Sequence, residues 1–306
     1  MNRPGIFVWL VALVFLGGAA RAAETITIAT YNIENYGPAN RVTEAGYRKD
    51  YPKPESEKAA LRRVICDLAA DVLVLQEMGG EPYLAELRRD LRSAGLDYGF
   101  AALATAGDAD RHLAILSRRP LKRITTHADL QFAYFGAREN VKRGLLEATI
   151  ETAGGEVTIF AVHLKSRFTD RPDDPQSGLR REGEATAVRD LVLQEFPMPA
   201  GARFLILGDC NDGKTSRTLA RLQRRGGTEI AVLLPAADSR GEVWSHAYRK
   251  EETYSRVDQI LVSPGLMPQV RGGAARIHDG EGVPEASDHR PLVVTLTLDE
   301  KKPAAP

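Results

Sequence analysis

The sequence predicts a mixed α/β fold in which two packed mixed β-sheets carry helices on their outer faces. Short apolar runs outnumber stretches with helical spacing by about two to one. The segments Leu145–Thr152 and Val157–Leu164 are joined by the turn residues Ala153-Gly154-Gly155-Glu156, which indicates an antiparallel hairpin. Longer helical stretches separate other strands, as crossover connections do. The combination of hairpins and crossovers argues against a strict repeat of strand, helix and strand.

The predicted strands are short runs that either alternate apolar and polar residues or stay apolar throughout. Several of them end in polar side chains. In chain order they are Thr25–Thr30, Asp71–Gln76, His112–Ser117, Leu145–Thr152, Val157–Leu164, Arg203–Leu207, Val257–Ser263 and Pro291–Leu298.

Four stretches have the apolar spacing of amphipathic helices. Pro82 stands at the first turn of the second helix, where its missing N–H would be unpaired in any case. Ser216 is placed to cap the start of the fourth helix, and Gly226-Gly227 is placed to end it. The predicted helices span residues 55–69, 82–93, 179–196 and 216–225.

The first residues have the pattern of a secretory leader. Asn2-Arg3 precedes an apolar run from Ile6 to Leu16, and Ala20-Arg21-Ala22 has the small residues of a signal-peptidase site. A membrane anchor is the competing interpretation, but a span needs about 20 apolar residues and this run is shorter. We therefore expect a signal peptide at 1–23, no stable membrane anchor, and a protein that is secreted or periplasmic.

A single domain is expected over residues 24–299, because the chain has no internal repeat and no linker long enough to divide it. Two segments, 36–56 and 168–178, carry prolines among aromatic or polar residues and are predicted to be surface loops. The residues 300–306 are predicted to be a disordered tail. We expect the protein to act as a monomer.

The balance of basic and acidic residues limits how the protein could bind nucleic acid. The chain has 41 basic and 41 acidic residues, and loss of Arg3 and Arg21 with the leader would leave 39 basic residues. Proteins that grip duplex DNA by neutralising many phosphates carry a basic excess on the binding domain. A nucleic-acid ligand would therefore be held by a local patch.

The number of cysteines excludes a disulfide framework and a thiolate metal site. Cys66 and Cys210 are too few for a disulfide framework or for a site of several thiolates around a metal. A single bridge between them stays open in an oxidising compartment.

Polar side chains recur where the predicted strands end. In sheets with helical crossovers, the carboxyl ends of the strands gather at one rim and form the ligand crevice. These side chains are therefore expected to face one pocket. They are Asn32, Glu34, Glu77, His163, Asp209 and Asn211.

Two pairs in this set are separated by two positions. Asn32 and Glu34 follow the first strand, and Asp209 and Asn211 follow the sixth. Alternate side chains of an extended segment lie on the same face, so each pair is expected to point into the pocket together. Cys210 lies between Asp209 and Asn211 and is expected to point away.

Taken singly, several of these residues have an ordinary structural interpretation. Glu77 could be a solvated strand end or a helix cap, and a lone His163 could be a hydrogen-bonded core histidine. Asp258 could cap a turn at the start of its strand. The functional interpretation depends on their occurring together.

Two other interpretations are excluded. The stretch that starts at Asp209 is not an EF-hand calcium loop, because that loop needs glycine at its sixth position, where Lys214 stands. The run Ser287-Asp288-His289 is not a hydrolase triad, because three consecutive residues cannot place the three side chains in line.

Six blocks of sequence occur together in one order. They are "YNIEN", "LVLQEMGG", "FAVHLKSR", "LILGDCND", "YSRVDQILVS" and "ASDHRPLVV", and they run from residue 31 to residue 294. In these blocks the chain resembles the endonuclease/exonuclease/phosphatase superfamily, the deoxyribonuclease-I-like phosphodiesterases. "HLKSR" resembles the secreted bacterial nuclease branch. The resemblance implies a four-layer α/β/β/α sandwich of two mixed sheets flanked by helices.

The resemblance also implies a metal site. Glu77 matches the position of the family's metal-binding carboxylate, and Glu34 matches a residue close to the ion. Asn32 and Asp288 are further candidate ligands. Oxygen donors of this kind suit Mg²⁺, with Mn²⁺ or Ca²⁺ as alternatives.

The same resemblance implies catalytic roles. Asp209 would orient or deprotonate the attacking water, and Asn211 would hold the phosphate. His163 and His289 would contact the phosphate, and Asp258 would pair with His289 and raise its pKa. A charged histidine there would stabilise the transition state and could protonate the leaving oxygen.

Substrate contacts are predicted in nearby basic residues. Lys165 and Arg167 follow His163, and Arg143 precedes a strand, although a solvated loop is an equal alternative for them. A secretory leader disfavours genomic repair and favours either scavenging of nucleic acid or attack on a lipid headgroup. The resemblance of "HLKSR" to the secreted nuclease branch makes a nuclease the preferred interpretation.

The alternatives use the same site. One is a sphingomyelinase-like lipid phosphodiesterase, which would use an exposed apolar hairpin such as Leu130–Gly136 at a membrane surface. An inositol-phosphate-type phosphatase is another, and a non-catalytic binding protein is the least favoured.

Overall fold

The computed structural model describes residues 23–43, 46–169 and 171–298. Apart from Ala23, the predicted leader lies outside the described residues, and the predicted tail at 300–306 lies outside them entirely. Within the described ranges, none of the helices has the length and apolar character needed to cross a membrane.

The described residues form two large sheets and four small ribbons. The strands are β1 (Glu24–Tyr36), β2 (Ala39–Thr43), β3 (Gly46–Tyr51), β4 (Val72–Met78), β5 (Phe100–Leu103), β6 (His112–Ser117), β7 (Leu121–Thr126), β8 (Gln131–Tyr134), β9 (Ala137–Asn140), β10 (Leu146–Ile150), β11 (Val157–His163), β12 (Phe204–Asp209), β13 (Arg224–Arg225), β14 (Thr228–Glu229), β15 (Val232–Leu233), β16 (Ala236–Ala237), β17 (His246–Tyr248), β18 (Thr253–Ser255), β19 (Asp258–Val262), β20 (Ala275–Ile277) and β21 (Leu292–Leu298).

Helices connect and cover the sheets. They are α1 (Glu55–Leu68), α2 (Glu81–Ser93), α3 (Gly178–Glu195), α4 (Arg217–Gln223) and the single turn α5 (Val283–Ala286).

Both large sheets are mixed, as the sequence predicts. The first has the strand order β16-β20-β21-β1-β4-β6-β5, and the second has the order β15-β19-β12-β11-β10-β7. Strands β1 and β4 are parallel, as are β11 and β12, and each pair is connected through a helix. Strand β21 is antiparallel to β1, and β10 and β11 form the predicted antiparallel hairpin.

Alternation along the strands builds a core between the sheets and one on each outer face. Ile28 of β1 and Ile159 of β11 meet in the core between the sheets. Tyr31 points to the opposite face of the first sheet and packs with the apolar residues of α1 and α2. Phe160 points outward from the second sheet and packs beneath α3 and α4. The order of layers is therefore helix, sheet, sheet, helix, which confirms the predicted four-layer sandwich.

Helix α1 shows how the covering layers are held. Leu61, Val64, Ile65 and Leu68 form one apolar stripe that faces the first sheet. Complete burial of such a side chain contributes roughly 1.5–3 kcal/mol. The helix ends at Ala69, whose backbone is left-handed with φ 42°.

All eight predicted strands are present, and the differences lie in shorter elements. The helix predicted at 216–225 ends at Gln223. Arg224 and Arg225 instead pair with Thr228 and Glu229 in a two-residue ribbon. The cause is the pair of glycines between them, which makes a hairpin turn rather than a helix end.

The two predicted loops differ from one another. The segment 36–56 contains the exposed ribbon of β2 and β3 and the start of α1, so the loop prediction was wrong there. The described part of 168–178 is irregular and ends in a 3₁₀ turn at Pro175–Ser177 that leads into α3.

The two cysteines are unpaired. Cys210 is buried in the core beneath α3 and α4, which is the direction that strand alternation predicts. The single disulfide that the sequence left open is therefore absent.

A close approach between β11 and β12 depends on Gly208. Its φ is +145°, and a Cβ added there would lie 1.9 Å from the carbonyl oxygen of Val162. No other residue type fits without moving one of the two strands. Since Asp209 follows directly, this contact also fixes the end of β12.

We predict that Gly208→Ala lowers the free energy of unfolding by about 2–5 kcal/mol, because strained backbone and overpacking add together. Urea unfolding followed by circular dichroism measures the change.

Two glycines serve as controls. Gly155 has φ +103° with open space around it, so Gly155→Ala should show the smaller loss due to backbone strain alone. Gly213 has neither restriction, and Gly213→Ala should be close to neutral. Equal stability of the Gly208 and Gly213 variants would contradict the account of β12.

Candidate active site

One cavity of about 750 Å³ opens where the carboxyl ends of β1, β4, β11 and β12 meet. It gathers eight of the twelve predicted site residues. They are Asn32, Glu77, His163, Arg167, Asp209, Asn211, Asp288 and His289.

Strand register places three candidate residues in one row. His163 ends β11 and pairs with Asp209, which ends β12. Asp209 in turn pairs with Asp258, which begins β19. Because β19 is antiparallel to β12, its first residue lies at the same edge as the last residue of its neighbour. The site therefore uses strand starts as well as strand ends.

Asp209 is buried and surrounded by hydrogen-bond donors. Asn32 Nδ2 donates to its Oδ2 at 3.0 Å, and the backbone N–H of Asn211 donates to its Oδ1 at 2.8 Å. Asn211 Nδ2 donates both to Asp209 Oδ2 at 3.2 Å and to the carbonyl of Leu164 at 3.0 Å. In this geometry Asn32 and Asn211 orient Asp209, whereas the sequence assigns them to the metal and the phosphate.

Burial raises the pKa of Asp209 to about 6. The charge of Asp258 acts in the same direction, while His289 and the amide donors oppose it. A carboxylate with this pKa is ionised at neutral pH and still basic enough to accept a proton from water in a reaction.

His289 is held by a buried carboxylate. Its Nδ1 lies 2.8 Å from Asp258 Oδ2, and both residues are nearly inaccessible to solvent. The hydroxyl of Ser245 donates to the same Asp258 oxygen at 2.7 Å. His289 Nε2 lies 4.0 Å from Asp209 Oδ2 and 3.9 Å from Asp288 Oδ1. This nitrogen is left to interact with a ligand in the cavity.

The two histidines of the site have opposite charge preferences. Burial disfavours the charged form of His289, but Asp258, Asp209 and Asp288 outweigh it and hold the pKa of His289 well above its usual value. Burial also disfavours the charged form of His163, and the nearby Arg143 and His289 add to it, so the pKa of His163 lies well below its usual value. The surroundings therefore favour the charged form of His289 and the neutral form of His163.

Glu77 presents one carboxylate oxygen to the cavity. Its Oε2 accepts the backbone N–H of Asn35 at 3.0 Å. Its Oε1 lies 3.8 Å from Arg111 Nε and 3.9 Å from His163 Nε2, distances too long for a hydrogen bond. That oxygen is positioned to bind an ion.

Glu34 does not follow the predicted alternation with Asn32. Its φ is 49°, so the extended backbone that would align the two side chains is interrupted. Glu34 Oε2 accepts the backbone N–H of Asp288 at 3.0 Å, and Asn32 Oδ1 accepts the backbone N–H of Glu34 at 3.1 Å. Burial and the charge of Asp288 raise the pKa of Glu34. The expectation that both side chains point into the pocket was wrong for Glu34.

Left-handed backbone is concentrated at this site. Glu34, Asn35, Glu77 and Asn211 all have φ between 49° and 62°. Asparagine adopts this conformation readily, but for glutamate it costs about 1–2 kcal/mol. Such strain persists only where surrounding contacts enforce it, and it is common at functional sites.

The predicted substrate-contacting cations differ in placement. Arg143 is buried, with Nε donating to Asp108 Oδ2 and Nη1 donating to the carbonyl of Leu164, both at 3.1 Å. Lys165 Nζ donates to the carbonyls of Ser166 and Phe168 in its own loop. Neither lines the cavity, so Arg167 is the member of this set that does.

Two residues of the site carry no sequence signal. His246 lines the cavity, with Nε2 at 3.6 Å from Asp288 Oδ2 and its ring centroid 4.5 Å from that of His289. Ser245 supports Asp258 from behind. His246 begins the three-residue strand β17 and Ser245 directly precedes it, where neither alternation nor a motif marks them.

The site contains chemistry that suits a divalent cation. The ligand atoms of Asp209, Asp258 and His289 lie within 4.8 Å of one another, as do those of His246, Asp288 and His289. The predicted metal set is spread more widely, since Asn32 bonds to Asp209 and Glu34 lies behind Asp288. Glu77, Asp209 and Asp288 bring carboxylate oxygens to the cavity, a donor set that fits a hard ion, and Glu251 lines the same cavity.

We predict that His289 remains protonated through neutral pH while His163 stays neutral. Proton–nitrogen NMR of the imidazole rings across pH 5–8, in chelator-treated protein, distinguishes the two forms.

The variant Asp258→Asn should lower the pKa of His289, because the carboxylate charge is its main favourable partner, and should leave His163 neutral. An unchanged His289 titration in this variant would contradict the assignment.

The fold is similar to those of several solved structures. Sphingomyelinase C from Streptomyces griseocarneus has a TM-score of 0.62 at 14% identity, over 90% of this chain and 100% of that chain. Truncated TDP2 from Caenorhabditis elegans has a TM-score of 0.60 at 15% identity, over 89% and 97%. The human Nocturnin catalytic domain has a TM-score of 0.60 at 15% identity, over 90% and 95%. Identities this low establish a shared fold and no more.

No curated protein sequence matches the chain. The sequence pattern described as the Endonuclease/Exonuclease/phosphatase family matches residues 29–289, which is most of the chain. Members of that family hydrolyse phosphoric esters. The chain belongs to the endonuclease/exonuclease/phosphatase family.

Proposed function

We propose that this protein is a divalent-metal-dependent phosphodiesterase that hydrolyses nucleic acid. We also propose that it is exported and acts as a monomer. Export is proposed from the sequence of the first 23 residues, and the N-terminal residue of the exported chain tests it, with a start near Ala23 expected.

One observation carries the proposal. A charged His289, a neutral His163 and a carboxylate of raised pKa, Asp209, surround the same cavity, beside a carboxylate oxygen of Glu77 that lacks a close donor. Hydrolysis of a phosphodiester needs an activated water, stabilisation of negative charge and help for the leaving oxygen. The cavity has a residue suited to each need.

His289 is assigned the role of stabilising the negative charge on the phosphate. Its Nδ1 is held by Asp258, so Nε2 faces the cavity with a proton to donate. Donation from a cation in a buried site opposes the charge that builds on the phosphate oxygens. The same proton can pass to the leaving oxygen.

Asp209 is assigned the role of orienting and activating the attacking water. Its carboxylate is fixed by Asn32 and Asn211, so it can orient a water without first reorganising. The neutral His163, with Nε2 at 3.5 Å from Asp209 Oδ2, adds no second positive charge to lower the basicity of that carboxylate.

A divalent ion fits beside these groups. Glu77 and Asp288 would hold Mg²⁺, with Mn²⁺ or Ca²⁺ as alternatives, because both present carboxylate oxygens to the cavity. When bound, the ion would neutralise charge on the phosphate and leaving oxygens.

Nucleic acid is preferred over a lipid headgroup. The segment Leu130–Gly136 contains β8 and the turn that leads into β9, but Phe132 and Tyr134 are 5% and 6% exposed because they pack against α3. Of its three aromatic residues only Phe135 is exposed, at 49%, and its ring lies against Tyr134 and Arg171. A membrane-entering hairpin would expose such residues.

We predict that Asp209→Ala and His289→Ala each lower the rate of plasmid DNA hydrolysis by at least about 100-fold, because each removes one chemical role. Initial rates with Mg²⁺ present measure the loss, and circular dichroism verifies the fold.

His127→Gln is the matched control. His127 Nε2 lies 2.9 Å from Glu147 Oε2, a histidine–carboxylate pair like that of His289 but outside the cavity. It should keep near-normal activity. Near-normal rates in both active-site variants would refute the nuclease proposal. Hydrolysis of sphingomyelin or inositol phosphates by an enzyme that leaves plasmid DNA uncut would also refute it.

We predict that EDTA abolishes hydrolysis and that Mg²⁺ restores it. Glu77→Gln should raise the Mg²⁺ concentration needed for half-maximal rate by about 10-fold or more, because it replaces a charged ligand oxygen.

Glu156→Gln is the control for Glu77→Gln, since Glu156 is a half-exposed carboxylate away from the cavity that pairs with Lys122. Activity that persists in EDTA would exclude the metal-dependent mechanism.

A further inference from the structure

An exposed tyrosine at the edge of the cavity packs against a second aromatic side chain, which in turn packs against a buried arginine. Tyr254 of β18 lines the cavity and is 63% exposed. Its ring centroid lies 4.8 Å from that of Trp244, at an interplanar angle of 53°. The guanidinium carbon of Arg290 lies 4.1 Å from the Trp244 ring centroid, and Arg290 is buried and paired with Asp238 at 2.6 Å. These four residues are called the Tyr254 stack.

The stack connects an exposed ring to the catalytic segment. Arg290 follows His289 directly, and the backbone N–H of Arg290 donates to the carbonyl of Ser245 at 2.6 Å. Tyr254 is therefore fixed relative to His289. A ring that is held in place loses little conformational entropy when a ligand stacks on it.

Tyr254 is not an isolated exposed aromatic. Phe168 and Tyr248 line the same cavity and are 80% and 42% exposed. Single exposed apolar side chains are ordinary on protein surfaces, but three at the lip of one cavity indicate a ligand with flat apolar faces.

Nucleic-acid bases have such faces. Stacking of a base on an aromatic side chain tolerates any sequence, but it needs an unpaired base, because bases of a duplex stack on one another. The chain has equal numbers of basic and acidic residues, so it lacks the charge excess that would favour a duplex backbone.

We propose that the Tyr254 stack binds an unpaired base next to the scissile phosphodiester and so selects single-stranded over duplex nucleic acid. This selection rests on the proposed function. Tyr254 is the residue that touches the base, and Trp244 and Arg290 position it.

A lipid surface fits the same edge less well. The two cavity residues on either side of Tyr254 in the chain, Thr253 and Ser255, are polar, and Glu251 adds a carboxylate to the lining of the same cavity. Membrane entry would need a continuous apolar patch, and a carboxylate beside the aromatic residues would oppose insertion.

The first experiment uses the smallest diester with two bases. The substrates are a thymidine dinucleotide with one phosphodiester, its two analogues that lack one base, and the analogue that lacks both. Tyr254→Ala should lower kcat/KM on the dinucleotide by about 5- to 100-fold, mainly through KM, and should leave the base-free analogue unchanged. Removing one particular base from the dinucleotide should lower kcat/KM of the unmodified enzyme by a similar factor. The same removal should not lower kcat/KM of the Tyr254→Ala variant any further.

The second experiment compares strands. The unmodified enzyme should cleave a single-stranded oligonucleotide faster than the same sequence in a duplex, and Tyr254→Ala should remove most of that difference. Tyr254→Phe should retain it, because stacking needs the ring and not the hydroxyl. Phe135→Ala is the matched control, since Phe135 is a half-exposed aromatic outside the cavity.

Several outcomes would overturn the selection while leaving the nuclease proposal intact. One is equal loss by Tyr254→Ala on the full and the base-free dinucleotides, with plasmid DNA still cleaved by the unmodified enzyme. Another is a loss confined to binding of sphingomyelin vesicles, which would assign the ring to a membrane. Failure of the unmodified enzyme on plasmid, oligonucleotide and dinucleotide alike would overturn both proposals.

Discussion

The buried contact between Asp258 and His289 is the interaction on which the site depends. Two charges removed from water destabilise a fold unless they are paired and hydrogen-bonded, and here the 2.8 Å contact and the hydroxyl of Ser245 supply the partners of Asp258 Oδ2. Strand register makes the contact possible, because Asp258 begins β19 beside Asp209 at the end of β12. Sheet topology thus places the carboxylate that favours the charged form of His289. Removing either partner would leave the other as an uncompensated buried charge.

The fold tolerates local strain in order to form this site. Glu34 and Glu77 have left-handed backbone at the ends of β1 and β4, where pairing between these strands shifts register. Gly208 allows an approach to β11 that no side chain could accept. The layers on either side supply the stability that offsets these costs, since the apolar stripes of α1 and α3 lie directly over the strands that carry the site. Strained positions that sit beside reactive groups are more consistent with function than with chance.

The sequence predicted the features that depend on burial and on the two-residue period of strands. The eight main strands, the hairpin of β10 and β11 and the outward direction of Cys210 follow from apolar alternation. It could not predict what distant segments bring together. His246 reaches the cavity on a short ribbon with no periodic signal, and Arg143 is drawn into a buried pair with Asp108 instead of facing a ligand. Glu34 departs from alternation because its backbone becomes left-handed, which nothing in its neighbours' identities indicates.

The central claim is that one cavity brings a cation and a phosphate to His289. Diffraction from crystals grown with Mn²⁺ and a non-hydrolysable phosphodiester analogue tests it most directly, because anomalous scattering locates the ion. The account predicts an ion bound by a carboxylate oxygen of Glu77 and a phosphate oxygen within hydrogen-bond distance of His289 Nε2. An ion found only at the separate group of His127, Glu147 and Glu195, with no phosphate near His289, would contradict it.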